Sequence, residues 1–177
     1  MQDVNLITFG VLFVIALLVL RGMVHVVPEH QRLIVFRLGG FEKVAGPGIV
    51  LLLPPPIQTV AQTVDMREFV VEMREQVCVT KDNAPVSIDL LVYQKVVDPA
   101  DSFLKVQNFR EAVLGLATKL LRSIVSEIPL DQVLAEREHM GNELREGLDD
   151  TTRRWGVSVT TVEIKKLNMA SSVKGAA

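Results

Sequence analysis

The 177-residue sequence predicts an α+β domain that follows an amino-terminal membrane helix. An uncharged apolar run occupies residues 6–20, and short segments typical of β-strands follow it as far as residue 98. The apolar period then changes to that of helices, before one last strand-like segment at residues 157–164. This order predicts a small antiparallel sheet packed by helices.

The apolar run supports the predicted membrane helix. Twelve of the fifteen residues from 6 to 20 are Leu, Ile, Val or Phe, which favours insertion by about −4 to −7 kcal/mol. The run is shorter than the roughly 20 residues of a full span, but residues 4–5 and 22–24 lengthen it if Arg21 extends toward the headgroups. The expected anchoring side chains are Leu6, Phe9, Leu12, Phe13, Ile15, Leu18 and Leu20.

Two other interpretations of this run are weaker. A cleaved signal peptide needs a basic segment before the run and a small-residue cleavage site, whereas Asp3 precedes the run and no Ala-x-Ala follows. A buried helix that is apolar on every side needs a large protein around it. A retained anchor is favoured, either spanning or inserted from one leaflet, and Arg21 after the run places the following domain in the cytoplasm.

Strand patterns begin directly after the anchor. Residues 30–38 alternate as in a strand, and Gly39-Gly40 ends it. Five aliphatic residues then lie between Gly46-Pro47-Gly48 and three prolines, which exclude a long helix. We call this segment the apolar lip, and two interpretations stay open: a buried strand, or a segment that dips into the leaflet that holds the anchor. Its residues are Ile49, Val50, Leu51, Leu52 and Leu53.

Further strands are predicted at residues 60–71, 77–80 and 86–92. In the last of these, Val86, Ile88, Leu90 and Val92 alternate with more polar residues and are predicted to share one face. In the final strand the apolar phase slips between Val159 and Val162, which indicates either a β-bulge or burial on both faces.

Two amphipathic helices are predicted between these strands. The first presents an apolar stripe made of Val113, Leu116, Ala117, Leu120, Leu121, Ile124 and Ile128. The second covers residues 131–155, with Asp131 as N-cap and an Arg145–Asp149 pair on its surface. Its apolar face consists of Val133, Arg137, Met140, Leu144, Leu148 and Trp155.

Composition and motifs give no sign of catalysis. The 19 basic and 21 acidic residues leave a net charge of −2, against the basic excess of a dedicated nucleic-acid binder. The single Cys78 and three scattered histidines cannot form a disulfide or complete a Cys/His zinc site. Cys78 is predicted to be a buried, unreactive thiol. We therefore expect no catalytic residue, no metal ligand, no cofactor and no nucleic-acid partner.

Several motifs resemble those of one family. Residues 27–39 resemble the opening of stomatin-like proteins (slipins), within the SPFH or band 7 superfamily that includes prohibitins and flotillins. The resemblance covers residues 24–167 and continues through these segments in order: Gly46-Pro47-Gly48, Leu53-Pro54, Val64-Asp65-Met66-Arg67, Val79-Thr80-Lys81-Asp82-Asn83, Leu134-Ala135-Glu136-Arg137-Glu138 and Trp155-Gly156-Val157.

This resemblance implies a membrane-anchored scaffold and not an enzyme. It implies binding to membrane lipid, homo-oligomerisation, and either organisation of lipid microdomains or regulation of nearby membrane proteins. A membrane protease or an NfeD-type protein is a possible partner, in protein quality control. The implied domains are an anchor at residues 1–27, an SPFH domain at 28–167 with its membrane-proximal part at 28–75 and second part at 76–167, and a short tail at 168–177.

The tail departs from the family pattern. Slipins continue after the last strand with a long helix that mediates assembly, whereas ten residues follow Leu167 here. A coiled coil needs three or four heptads, roughly 21–28 residues. We therefore expect either a truncated form or assembly through the globular domain, which puts large rings in doubt. The candidate residues for self-association are Arg137, Met140, Leu144 and Leu148 of the second helix.

Overall fold

The computed structural model describes residue 13 and residues 21–169, leaving out the side chain of residue 134. The chain divides into two compact units after Met66, where the sequence predicted a division after residue 75. Of the predicted anchor at residues 1–27, the structure describes Phe13 and residues 21–27, and the rest lies outside the described residues. The predicted end of the anchor is wrong, because Val24–Val27 form a β-strand. Along the stretches that the structure describes, no helix is both long and apolar enough to cross a membrane.

From Val24 to Met66, the described part of the first unit is made of β-strands and turns. Strands β1 (Val24–Val27) and β4 (Gly48–Leu51) form an antiparallel two-stranded ribbon. Strands β2 (Gln31–Arg37), β3 (Gly40–Ala45) and β5 (Gln58–Asp65) form an antiparallel sheet in the order β3-β2-β5. The small core of this unit is made of Val27, Leu33, Val35, Ala45 and Leu52, with Val50 packed against it.

The second unit is a three-stranded antiparallel sheet packed by helices. Its strands are β6 (Phe69–Val79), β7 (Pro85–Val96) and β8 (Val157–Met169), in the order β6-β7-β8. Between β7 and β8 lie helices α1 (Pro99–Leu104), α2 (Phe109–Glu127), α3 (Leu130–Ala135) and α4 (Arg137–Thr152), then a 3₁₀ turn at Arg153–Trp155. Side chains of α2 and α4 join those of the sheet in one core. This architecture confirms the predicted α+β class.

The strand patterns of the second unit follow the sequence prediction. Val86, Ile88, Leu90 and Val92 are fully buried on the helix-covered face of β7. Opposite β7, Thr161 pairs with Tyr93 and Val159 pairs with Gln94, so Thr160 is an extra residue in β8. The predicted phase slip is therefore a β-bulge.

The predicted second helix is wrong in its boundaries. It is two helices, α3 and α4, because the backbone at Glu136 leaves helical geometry (φ −111°, ψ 39°). Pro129 and not Asp131 occupies the N-cap position. The carboxylate of Asp82 accepts a hydrogen bond from the Leu130 N–H at 3.0 Å, which fixes the start of α3 from a distant turn.

The predicted Arg145–Asp149 pair is also corrected. Asp149 is 7% exposed and accepts hydrogen bonds from Arg153 Nε at 2.7 Å, Ser158 Oγ at 3.0 Å and the Val159 N–H at 3.1 Å. It therefore joins the end of α4 to the start of β8. Arg145 instead lies 3.4 Å from Glu146.

Candidate functional site

The two-stranded ribbon presents one face that is entirely apolar and exposed. Val24 lies opposite Leu51 and Val26 opposite Ile49, so the four side chains project to the same side. Their exposed fractions are 45%, 64%, 78% and 77%. We call these four side chains the ribbon face. Contiguous exposed aliphatic side chains of this kind indicate an interaction surface.

The opposite side of the ribbon packs on the core of the first unit. Val27 is 4% exposed, and Val50 packs against the same core. This division also separates the residues of the apolar lip: Ile49, Leu51 and Leu53 are exposed, while Leu52 is buried. Leu52 is thus corrected as a membrane-dipping candidate, because its side chain fills the core of its own unit.

A second exposed apolar group shares Leu53 with the lip, and backbone hydrogen bonds connect its other members to the turn that follows the lip. The Leu38 N–H donates to the carbonyl of Ile57 at 3.1 Å, and the Ile57 N–H donates to the carbonyl of Pro54 at 3.1 Å. Leu38, Leu53 and Ile57 are 76%, 38% and 38% exposed. We call these three residues the hairpin tip group, because Leu38 belongs to the turn between β2 and β3.

The Leu38 turn has an unexpected residue for its geometry. Leu38 and Gly39 form a two-residue hairpin loop with φ values of 49° and 86°, as in a type I′ turn. Such turns favour Asn-Gly, since a β-carbon in left-handed geometry costs roughly 1–2 kcal/mol. An exposed leucine is therefore held where the local backbone disfavours it, which is a feature found at functional positions.

A buried glutamine positions the turn that carries Leu53 and Ile57. Gln58 is 7% exposed; its Oε1 accepts from the Leu53 N–H at 2.7 Å and its Nε2 donates to Glu42 Oε2 at 2.6 Å. Glu42 also lies 3.7 Å from Arg37. Nearby, the Leu52 N–H donates to the carbonyl of Met23 at 2.8 Å. The lip therefore lies beside the point where the chain leaves the predicted anchor.

Sequence analysis missed four of these exposed residues, namely Val24, Val26, Leu38 and Ile57. The alternation of β1 was present in the sequence, but its pairing with β4 joins segments more than twenty residues apart. For Leu38, a signal was available: a leucine followed by Gly39-Gly40 at the end of a strand indicates a tight hairpin turn.

The chemistry-bearing side chains are dispersed. Cys78 is 2% exposed, as predicted, and burial raises the pKa of its thiol, which lowers the thiolate fraction at neutral pH. His25 and His139 are exposed and His30 is half-buried. Among the described residues, no group of three or more His, Cys, Asp or Glu side chains could hold a metal ion.

The predicted self-association residues are largely internal. Met140, Leu144 and Leu148 are 2%, 1% and 0% exposed and belong to the core between α4 and the sheet. This corrects their assignment, because the apolar face of α4 already packs within its own unit. Of the four candidates, only Arg137 is exposed.

Comparison with known proteins gives the family. The SPFH domain / Band 7 family model matches residues 25–177. The chain belongs to this family. Two stomatin homologs, from Pyrococcus horikoshii and Pyrococcus abyssi, are each 33% identical to it over 172 residues, or 97% of this chain. An uncharacterized protein of Archaeoglobus fulgidus is 36% identical over 163 residues, or 92% of this chain.

These comparisons confirm the resemblance drawn from the motifs. This SPFH chain spans 65%, 64% and 63% of the lengths of the Archaeoglobus fulgidus, Pyrococcus horikoshii and Pyrococcus abyssi relatives. Stomatin-like SPFH proteins are membrane scaffold-type proteins and are generally non-catalytic.

Proposed function

We propose that this SPFH chain is a membrane-anchored scaffold that lies on the bilayer through the ribbon face and self-associates there. Its action is to organise lipid microdomains or to regulate nearby membrane proteins, with both units on the cytoplasmic side. The single observation that carries the proposal is the row of four exposed aliphatic side chains next to the exit of the predicted anchor.

The magnitudes favour two membrane contacts acting together. The four side chains of the ribbon face are about two-thirds exposed on average, so their transfer into lipid is worth roughly 4–8 kcal/mol, at about 1.5–3 kcal/mol for each fully buried side chain. One such contact alone gives reversible binding, whereas two give stable attachment. The predicted anchor at residues 6–20 supplies the second contact.

The proposal assigns no catalytic role to the chain. Cys78 is a poor nucleophile, because burial raises the pKa of its thiol. The proposed action is to position the chain and its partners on the membrane, and positioning of this kind needs no cofactor.

Membrane fractionation of the full chain tests the proposal. We expect the chain to stay with membranes through washes with high salt, and to be released by detergent as assemblies larger than one chain. Recovery in the soluble fraction without detergent would contradict membrane anchoring, and recovery as a monomer at every detergent concentration would contradict self-association.

The exposed side of α4 favours a second candidate function. Arg137, Glu138, Glu143 and Glu146 are exposed there and form a charged surface. Such a surface suits docking of a protein partner, so the chain is alternatively a regulatory subunit of a membrane protease or of an NfeD-type quality-control complex. Affinity capture in mild detergent tests this: a stoichiometric partner that is lost on Glu143→Lys with Glu146→Lys supports it, and capture of further copies of the chain alone opposes it.

A further inference from the structure

Strand β5 is an edge strand whose exposed middle segment, residues 59–63, carries no charge; Asp65 at its end is its one charged residue. It lies at the end of the sheet order β3-β2-β5. Gln58 and Val64 near its two ends are buried, but the five residues 59–63 between them are all exposed. These five are Thr, Val, Ala, Gln and Thr, so both faces of the strand are neutral and open.

The longer edge strands elsewhere in the described chain carry charges. Strand β3 has Glu42 and Lys43, strand β6 has Glu72 and Arg74, and strand β8 has Glu163, Lys165 and Lys166. Charges of this kind protect an edge against pairing with another strand. Strands β1 and β4 are uncharged, but each has four residues and they form the ribbon face. Residues 59–63 of β5 are therefore the long edge segment that is least protected by charge.

The unpaired backbone groups of this edge determine which kind of segment can bind to it. The backbone N–H and C=O groups of residues 59–63 that point away from β2 have no backbone partner among the described residues. Another extended strand satisfies such groups in a regular ladder. Because the segment is neutral, it can meet its own copy without placing like charges opposite one another, and opposed threonines form favourable cross-strand pairs.

We propose that β5 of one chain pairs antiparallel with β5 of a second copy, across a two-fold axis. The inference rests on the proposed function, because regular pairing on one side of Ala61 involves fewer than five residues, which is short for a stable interface. Confinement of both copies to one membrane raises their effective concentration and makes a short contact sufficient. An extra residue at Ala61, between the pairs Val60–Val35 and Gln62–Ile34, bulges the strand. The bulge limits regular pairing to one side of Ala61.

Cysteine cross-linking of the full chain in membranes tests this pairing. Each residue from 59 to 63 is replaced in turn by cysteine in a Cys78→Ala background, with Lys43→Cys on β3 and Lys166→Cys on β8 as controls. A two-fold antiparallel pair brings one position close to its own copy. We therefore expect one β5 position to form disulfide dimers at least fivefold more than either control, with yields falling at its neighbours.

The outcomes separate this inference from the proposed function. A chain that stays in the membrane fraction but gives β5 yields equal to the controls overturns the pairing alone. A chain that leaves the membrane fraction overturns both, because membrane confinement is part of the inference.

A charge placed on the edge gives a second measurement. Gln62→Lys with Thr63→Lys puts like charges within the paired segment, and both side chains are exposed, so the fold tolerates them. We expect the dimer yield at the strongest remaining β5 position to fall about tenfold. The uncharged control Thr63→Val is expected to keep that yield within twofold. An unchanged yield in the double-lysine variant would overturn the pairing.

Discussion

Close packing at a single glycine sets the distance between α4 and β8. A β-carbon added at Gly141 would lie 2.8 Å from the carbonyl oxygen of Val162, which is backbone and cannot turn aside. At Gly115 in α2, nothing lies within 4 Å of an added β-carbon. A methyl group added at Gly141 would therefore collide with the backbone of β8, whereas one added at Gly115 would meet no neighbour.

We expect Gly141→Ala and Gly115→Ala to change stability in opposite directions. Gly141→Ala forces the helix away from the strand and lowers the free energy of unfolding by about 1–3 kcal/mol. Gly115→Ala raises it by up to about 1 kcal/mol, because alanine loses less backbone entropy in a helix. Denaturant unfolding of both variants checks this, and equal effects would show that α4 does not approach β8 as closely as described.

The strained turn at Leu38 makes a second prediction at the residue scale. Leu38→Asn relieves left-handed strain and raises the free energy of unfolding by about 1 kcal/mol. The matched control Leu38→Ala removes the same apolar side chain but lacks the polar group through which asparagine tolerates left-handed geometry by local hydrogen bonding, so it gives no such gain. Both variants are expected to weaken lipid contact of the hairpin tip group, seen as increased water exposure of a reporter at Ile57. A loss of stability in Leu38→Asn would argue against the turn geometry.

At the scale of elements, an ion-pair clamp links the two edge strands of the second sheet. Glu72 on β6 accepts from Arg74 Nη2 at 2.6 Å and from Lys165 Nζ of β8 at 2.8 Å. Glu72 lies opposite Leu91 of the central strand β7, and Glu163, two residues before Lys165, lies opposite Leu91 on its other side. The hydrogen bond from Lys165 to Glu72 therefore crosses over β7. These bonds, with Arg74 the larger cause, lower the pKa of Glu72 to about 2.

The lowered pKa of Glu72 predicts that the free energy of unfolding falls as the pH becomes more acid. The contribution of Glu72 is present above its ordinary pKa of 4.5 and is lost as the pH falls toward about 2. We expect Glu72→Gln to flatten the acid dependence of unfolding between those two values. Glu138→Gln, on the exposed side of α4, is the control and should leave the slope of the parent chain. Identical slopes in the parent and Glu72→Gln would contradict the clamp.

The sequence predicted correctly those elements whose burial is determined by a local, periodic pattern of apolar residues. The alternation of β7 and the stripe of α2 are periodic in the sequence, so burial of Val86 and Val113 follows from pattern alone. The start of α3 depends on Asp82, 48 residues before Leu130, and the ribbon face depends on the register between β1 and β4. Such pairings are set by tertiary structure, which periodicity does not encode.

For the whole molecule, the distribution of apolar surface explains the proposed role. The second unit buries the apolar faces of its helices in a core that includes Met140, Leu144 and Leu148, and its exposed apolar side chains lie on several elements, among them β6, α1 and β8. The first unit has a small core and leaves the ribbon face and the hairpin tip group exposed. A lone soluble domain gains nothing from this exposure, whereas a domain held against lipid gains the transfer free energy of those side chains.

Sequence analysis found about half of this surface. The apolar lip was singled out by its five aliphatic residues, but its division into exposed Ile49 and Leu51 and buried Leu52 required the pairing of β4 with β1. The self-association residues were misplaced for a related reason. An apolar helix face predicts burial without saying whether the same chain or another copy covers it.

The most direct test places a reporter on the ribbon face of the full chain in liposomes. An environment-sensitive fluorophore is attached at Ile49→Cys, and for comparison at Glu138→Cys, each in a Cys78→Ala background. Contact with lipid predicts that the label at position 49 is quenched by nitroxide-bearing lipids and shielded from aqueous iodide, while the label at position 138 shows the reverse. If iodide quenches both labels equally and lipid nitroxides quench neither, the ribbon face lies in water and the central claim is wrong.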